Sequence, residues 1–190
     1  MKVLIGPRVE LAADPEAAVV CGRLAGENGQ VVSLADLSVK NLYRQLSSAE
    51  IEAIRVQLRQ VRTEAGVVGY VCRGVGIQAG QAGLVVVTDH ANLTWRSPLV
   101  GPNDERDGPR FPGLDRAYAP EVALERVSGS DGMIVAHGVV AGVQDDRAMS
   151  EYETDTVRRH GWVAASSELV APVIIAAHMG LRVAAVVITA

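Results

Sequence analysis

Cysteine is scarce in this sequence: Cys21 and Cys72 are the only two in 190 residues. A disulfide framework needs more of them, and paired zinc ligands sit closer together. The expectation is a reduced, cytosolic compartment. Aromatic residues make up only 4%, with a single phenylalanine, Phe111. Neither sign of charge dominates, since the formal net charge is −4. That balance leaves no basic face for nucleic acid or for anionic lipid. Long apolar runs are missing as well. None approaches the ~20 residues of a membrane span, and the greasiest stretch is broken by His178, Gly180 and Arg182. Val3-Leu4-Ile5 is too short for the core of a signal peptide. The four histidines are scattered and no ligand cluster for a metal is visible. The expected partner is a small molecule or another protein chain.

What the sequence has is small apolar side chains. Hydrophobic residues reach 48%, enough for a core, and alanine, valine and glycine suit close packing of helices on a sheet. The length fits one domain. Apolar, β-branched runs predict strands over 2–5, 30–33, 67–72, 84–88, 133–141, 162–166 and 182–189. Helical spacing predicts helices over 15–26, from Ser48 to Gly66, over 147–160 and over 169–179. Ser48 is expected to cap the second of these, with Ile51, Ile54, Leu58 and Val61 on its buried face. Residues 93–120 are rich in proline, glycine and charge, and read as a long functional loop. Strands alternating with helices predict an α/β fold, three-layer α/β/α, with a mixed, mostly parallel sheet.

That loop carries a motif. Thr88-Asp89-His90-Ala91-Asn92-Leu93 leads into Ser97-Pro98-Leu99-Val100-Gly101-Pro102-Asn103-Asp104-Glu105-Arg106, then Gly108-Pro109-Arg110-Phe111-Pro112, with Tyr118 beyond. It closely resembles the trimeric purine nucleoside phosphorylases, which read D-H-I-N-L, N/S-P-L-x-G-P-N-D-E-R and G-x-R-F-P. A second stretch, His160 to Val170 followed by Ile175 to Val183, is similar to that family's L-G-A-D-A-V-G-M-S-T-V and V-A-R-H-C-G-L-R-V, without gaps. Together the two cover most of residues 67–190. The first sixty-odd residues fit poorly, and the segment from Asn28 to Ser47 reads as shortened.

The resemblance implies phosphorolysis: phosphate attacks the sugar's anomeric carbon and a purine leaves, with inorganic phosphate as co-substrate and no cofactor. It implies a homotrimer, or a mixed trimer with a homologue, in which Phe111 covers the ribose site of the neighbouring subunit. On its own, Asn103-Asp104-Glu105-Arg106 reads as a solvated turn, Phe111 as an interface or core ring, and His178 as a packing histidine.

The expected site residues break with the family pattern. The Gly-Ser-Gly phosphate turn after the first strand is replaced by Ile5-Gly6-Pro7-Arg8, where Arg8 either binds an anion or lies on the surface. The R-x-H-x-Y-E-G element has no counterpart, and Lys40, Tyr43 and Arg44 read as a solvated helix face. The A-A-G-G turn is replaced by Cys72-Arg73-Gly74-Val75-Gly76, which makes Arg73 and Gly74 phosphate candidates. Glu168 stands at the phosphate serine, where its charge would repel phosphate. A one-residue shift brings Ser167 there instead. Asp146 takes the place of the glutamate that holds the purine, with Val143 or Met149 under other gap placements. The purine-binding asparagine and the C-terminal helix have no counterpart around Ile188-Thr189-Ala190.

Three expectations follow. One is a family member with an eroded catalytic site that keeps its subunit contacts. Another is an active phosphorylase or hydrolase rebuilt on Arg8, Arg73, Asp146 and Ser167. The third is a partner subunit that lends Phe111 to a full-length homologue.

Overall fold

The computed structural model describes residues 1–27, 29–33, 47–61, 66–77, 83–128 and 135–189. Lys40, Tyr43 and Arg44 therefore lie outside the described residues. In chain order the elements are β1 (Lys2–Ile5), α1 (Pro15–Ala25), β2 (Gln30–Ser33), α2 (Ser48–Val61), β3 (Val67–Gly76), β4 (Gly83–Asn92), α3 (Pro120–Val127), β5 (Val135–Gly142), α4 (Glu151–Arg159), β6 (Ala164–Ser166), α5 (Val170–His178) and β7 (Arg182–Thr189).

Local chemistry sets the helix starts. The Asp14 carboxylate accepts from the Ala17 amide at 3.0 Å, and Pro15 opens α1 where no amide is needed. At α2 the cap is Ser47, one residue earlier than expected. Its hydroxyl accepts from the Glu50 amide at 3.3 Å while its own amide donates to the Glu50 carboxylate at 2.7 Å. Ser150 and Glu153 form the same reciprocal pair, which starts α4 at Glu151 rather than at 147. An element that the sequence pattern does not announce is α3. It is short, opens on Pro120, and buries only Ala123 and Val127.

The strands form one sheet in the order β2-β1-β3-β6-β5-β4-β7, with β7 pairing also with β3. That last pairing closes β3, β6, β5, β4 and β7 into a ring, to which β1 and β2 are added alongside. The β3–β6 and β4–β7 pairs are antiparallel and the other five are parallel, so the sheet is mixed and mostly parallel. Strand β3 makes the closure possible. It pairs with β7 as far as Gly74↔Thr189, then with β6 from Val75↔Ala165. At Gly74 an added Cβ would stand 2.5 Å from the Ala165 carbonyl oxygen and 2.6 Å from Val187 Cγ1. The expected turn at Cys72–Gly76 is thus a continuous strand that changes partner at a glycine.

Alternate side chains point to opposite faces of a strand, and here both faces are buried. Val3 and Ile5 of β1, Leu84 and Val86 of β4, and Val186 and Ile188 of β7 pack with Val20 and Leu24 of α1 and Val127 of α3. The intervening Leu4, Val85, Val87, Ala185 and Val187 pack with Ile54 and Leu58 of α2 and Ile175 of α5. Among the described residues no helix is long and apolar enough to cross a membrane.

Ile54 has no exposed surface and sits between Ile51 and Leu58 on the inner face of α2. Ile54→Ala is expected to cost about 2–5 kcal/mol, read as a lower denaturant midpoint at unchanged slope.

Candidate functional site

Four segments converge beside the sheet: the turn after β1, the end of β3, the β5–α4 loop, and the turn from β6 into α5. The first turn is fixed by its backbone, since the Gly6 amide donates to the Val71 carbonyl at 2.7 Å and the Val9 amide to the Gly6 carbonyl at 3.0 Å. It directs Arg8 inward. The Arg8 side chain is 12% exposed, so the surface reading of this residue is incorrect. Its Nε donates to Glu168 Oε1 at 2.7 Å, and its Nη2 donates to Asp146 Oδ2 at 2.9 Å and to the Arg73 carbonyl at 3.0 Å. Both carboxylate side chains have no exposed surface. Burial pulls the Arg8 pKa down, but the hydrogen bond to Asp146 and the charges of Glu168 and Asp146 outweigh it, and the net shift is upward.

Glu168 is held on every side. The Arg8 amide donates to its Oε1 at 3.1 Å and the Arg73 amide to its Oε2 at 3.1 Å. Its own amide donates to Ser166 Oγ at 3.2 Å, and its carbonyl accepts from the buried Tyr70 hydroxyl at 2.9 Å. Burial raises the Glu168 pKa and the Arg8 charge opposes that rise. Ser167 donates to Asp146 Oδ1 at 2.8 Å, and Ser166 donates to the Arg73 carbonyl at 2.7 Å. The Arg73 guanidinium turns away from this cluster to the Asp14 carboxylate. Cys72 lies behind it, 3.8 Å from Ser166 Oγ, and burial with the nearby Glu168 charge pushes its thiol pKa up. A protonated, buried thiol is a poor nucleophile.

Of the expected site residues, Arg8, Arg73, Gly74, Asp146 and Ser167 come together here. Tyr70, Asp14 and Ser166 join them without any local signal in the sequence. Glu168 had one, as a lone carboxylate in the apolar run from Val163 to Ala177. Val143 and Met149, the other placements for the purine handle, line a neighbouring cavity of about 640 Å³ with Leu93, Trp95 and Tyr152. Among the described residues no group of three histidine, cysteine or acidic side chains could hold a metal ion.

Phe111 lies elsewhere. It is 86% exposed, and the Arg110 guanidinium stands 5.8 Å from its ring centre. The loop that carries it is anchored at its middle. Asp107 accepts from Arg59 Nη2 at 2.8 Å and lies 3.5 Å from Arg55 Nε, both on α2. Asn103 Oδ1 is 3.0 Å from His178 Nε2, and Asn103 Nδ2 donates to the Gly108 carbonyl at 3.1 Å. His178 is a buried packing histidine whose pKa is lowered by burial and by Arg55. Gly108 is required where it stands, because a Cβ there would fall 1.8 Å from the His178 carbonyl oxygen.

Removing the shared guanidinium leaves two buried carboxylates facing each other. Arg8→Gln is expected to destabilise the fold by about 3–5 kcal/mol, measured by chemical denaturation at neutral pH.

Residues 66–190 match the model of the phosphorylase superfamily. Purine nucleoside phosphorylase 1 of Bacillus subtilis is 29% identical over 128 residues, 66% of this chain and 47% of the relative. The Rattus norvegicus purine nucleoside phosphorylase is 33% identical over 107 residues, 53% of this chain and 37% of the relative. The chain thus spans less than half the length of these two relatives. Among solved structures, a Schistosoma purine nucleoside phosphorylase in complex with guanosine superposes with TM-score 0.64 at 25% identity, covering 73% of this chain and 52% of that one. Isoform 2 from Schistosoma mansoni, with cytosine and ribose-1-phosphate, gives TM-score 0.74 at 22% identity over 99% of this chain and 75% of its own, which speaks to the fold. With the sheet, the loop motif and these similarities in agreement, the chain belongs to the phosphorylase superfamily.

Proposed function

We propose that this is a purine nucleoside phosphorylase-like protein that keeps the family's assembly loop and does not carry out efficient phosphorolysis. One observation carries the reading: the charged groups gathered at the site are paired with one another. Arg8 is engaged by Glu168 and Asp146, Arg73 by Asp14, and Ser167 by Asp146. Phosphorolysis needs donors for an incoming phosphate and a group to take the developing charge on the purine. Losing even one positioned donor costs roughly 10²–10³ in rate. The rebuilt-enzyme reading asks the same four residues to serve substrate while each is already engaged by another side chain.

A purine nucleoside or base is the proposed small-molecule partner, on the strength of the relatives' names and of the guanosine in one similar structure. A trimer, either of this chain or mixed with a longer homologue, is the proposed assembly. Its support is the apolar surface of the loop and its approaches, where Trp95 is 91%, Val100 68% and Phe111 86% exposed. Side chains of this kind anchor interfaces. A reduced, cytoplasmic setting accords with two cysteines that are both buried and free.

Two measurements test this. Purified protein incubated with a panel of purine nucleosides, with and without phosphate, is expected to release no base above background by chromatography. Phosphate-dependent release would establish a working phosphorylase, and phosphate-independent release a hydrolase; either result overturns the proposal. Sedimentation is expected to give a mass that is a multiple of three chains, alone or with the homologue. Phe111→Ala is then expected to weaken that association by roughly tenfold or more.

A further inference from the structure

We infer that the Glu168 carboxylate is a built-in anion occupying an oxyanion cradle made by the chain's own backbone, and that shortening residue 168 opens the cradle to a free tetrahedral oxyanion. The inference rests on the reading above and names what closes the site.

The cradle consists of donors that do not depend on Glu168 for their position. The Arg8 amide belongs to the turn after β1, which is held by Gly6 and Val71. The Arg73 amide belongs to β3, which is held by β7. These two amides come from distant parts of the chain and meet the two oxygens of one carboxylate, each at 3.1 Å. The Arg8 guanidinium adds a charged donor to the first oxygen at 2.7 Å. Gly6 completes the hollow by leaving room: a Cβ there would stand 2.7 Å from Glu168 Oε2. Converging backbone amides, a glycine that permits close approach and one guanidinium are the means by which proteins hold phosphate-like anions.

In this chain the anion is covalently attached. Residue 168 is one step past Ser167 in the turn that leads from β6 to α5, and its backbone is pinned by Tyr70 and Ser166. A free anion meets two obstacles. The donor directions are already filled, and the carboxylates of Glu168 and Asp146 both repel it at short range. Replacing Glu168 by serine removes one of those charges, frees both amides and Arg8 Nε, and leaves a hydroxyl at the rim. Replacing it by glutamine keeps the bulk in the cradle.

The test uses the full chain with inorganic phosphate as the probe, against chloride at matched ionic strength. Thermal unfolding of the wild type is expected to be unmoved by phosphate. Glu168→Ser is expected to melt lower in chloride and to gain about 5 °C or more in ~10 mM phosphate. Glu168→Gln is expected to show no gain. Calorimetric titration should find phosphate binding in Glu168→Ser alone. Phosphate binding by the wild type, an equal response in Glu168→Gln, or a folded Glu168→Ser that ignores phosphate each overturns the inference. If Glu168→Ser does not fold in chloride, refolding it from denaturant into either salt decides the matter. Greater recovery in phosphate supports the cradle, and equal recovery, including none in either, overturns it. No nucleoside enters this experiment. A phosphate-silent Glu168→Ser therefore leaves the non-phosphorolytic reading standing, and base release by the wild type overturns that reading separately.

Discussion

Two carboxylates with no exposed surface share one guanidinium, and the arrangement around them follows from that constraint. An unpaired buried charge costs several kcal/mol, and Arg8 is the cation that stands between Glu168 and Asp146. Arg8 in turn must be delivered by a fixed turn, and that turn is fixed by its hydrogen bond to β3. The β6–α5 turn, the β5–α4 loop and the end of β3 thereby become one unit, though they are far apart in the chain. A buried ion network of this kind is weak evidence for stability as such. It is strong evidence about access, because every donor it uses is withdrawn from other ligands.

The long loop follows a different logic. Its backbone has no ladder to satisfy it, so side chains hold it in place: Asp107 on the arginines of α2, and Asn103 on His178 of α5. The anchor points are polar, with Asp107 buried, and the part beyond them ends in an exposed ring. The charged motif here acts as a clamp, and Asp104 and Arg106 within it form a local ion pair. The two halves of the motif thus do separate work. Asn103 and Asp107 fix the loop to its own domain, and Phe111 is left pointing outward.

Much of the fold was legible because its signals are local. The run Arg182–Thr189 is buried along almost its whole length and reads as a strand from composition alone. Helical spacing over 147–160 announces α4, though not the Ser150 cap that starts it at Glu151, and the apolar spacing of Ile51, Ile54 and Leu58 announces the buried face of α2. What could not be read is long-range. Arg8 meets Glu168 across 160 positions and Asp146 across 138, and nothing near Arg8 distinguishes it from a surface arginine. The resemblance places Gly74 in a turn, at the position of the family's A-A-G-G element. Its use as the point where one strand exchanges partners depends on Ala165 and Val187, which no local window contains. The α3 segment carries little local signal because a helix buried at only two positions has little periodicity to show.

The closed ring of strands bears on how the chain is made. Val67 is paired with Arg182, 115 positions later, and β7 fills the gap between β3 and β4. Until β7 has left the ribosome, β3 and β4 each lack a neighbour, and the backbone amides and carbonyls that β7 will pair stand unpaired along an open edge. Such a topology defers closure of the ring until β7 has been made. A nascent chain that has not yet reached β7 therefore carries two strands whose pairing partner does not exist.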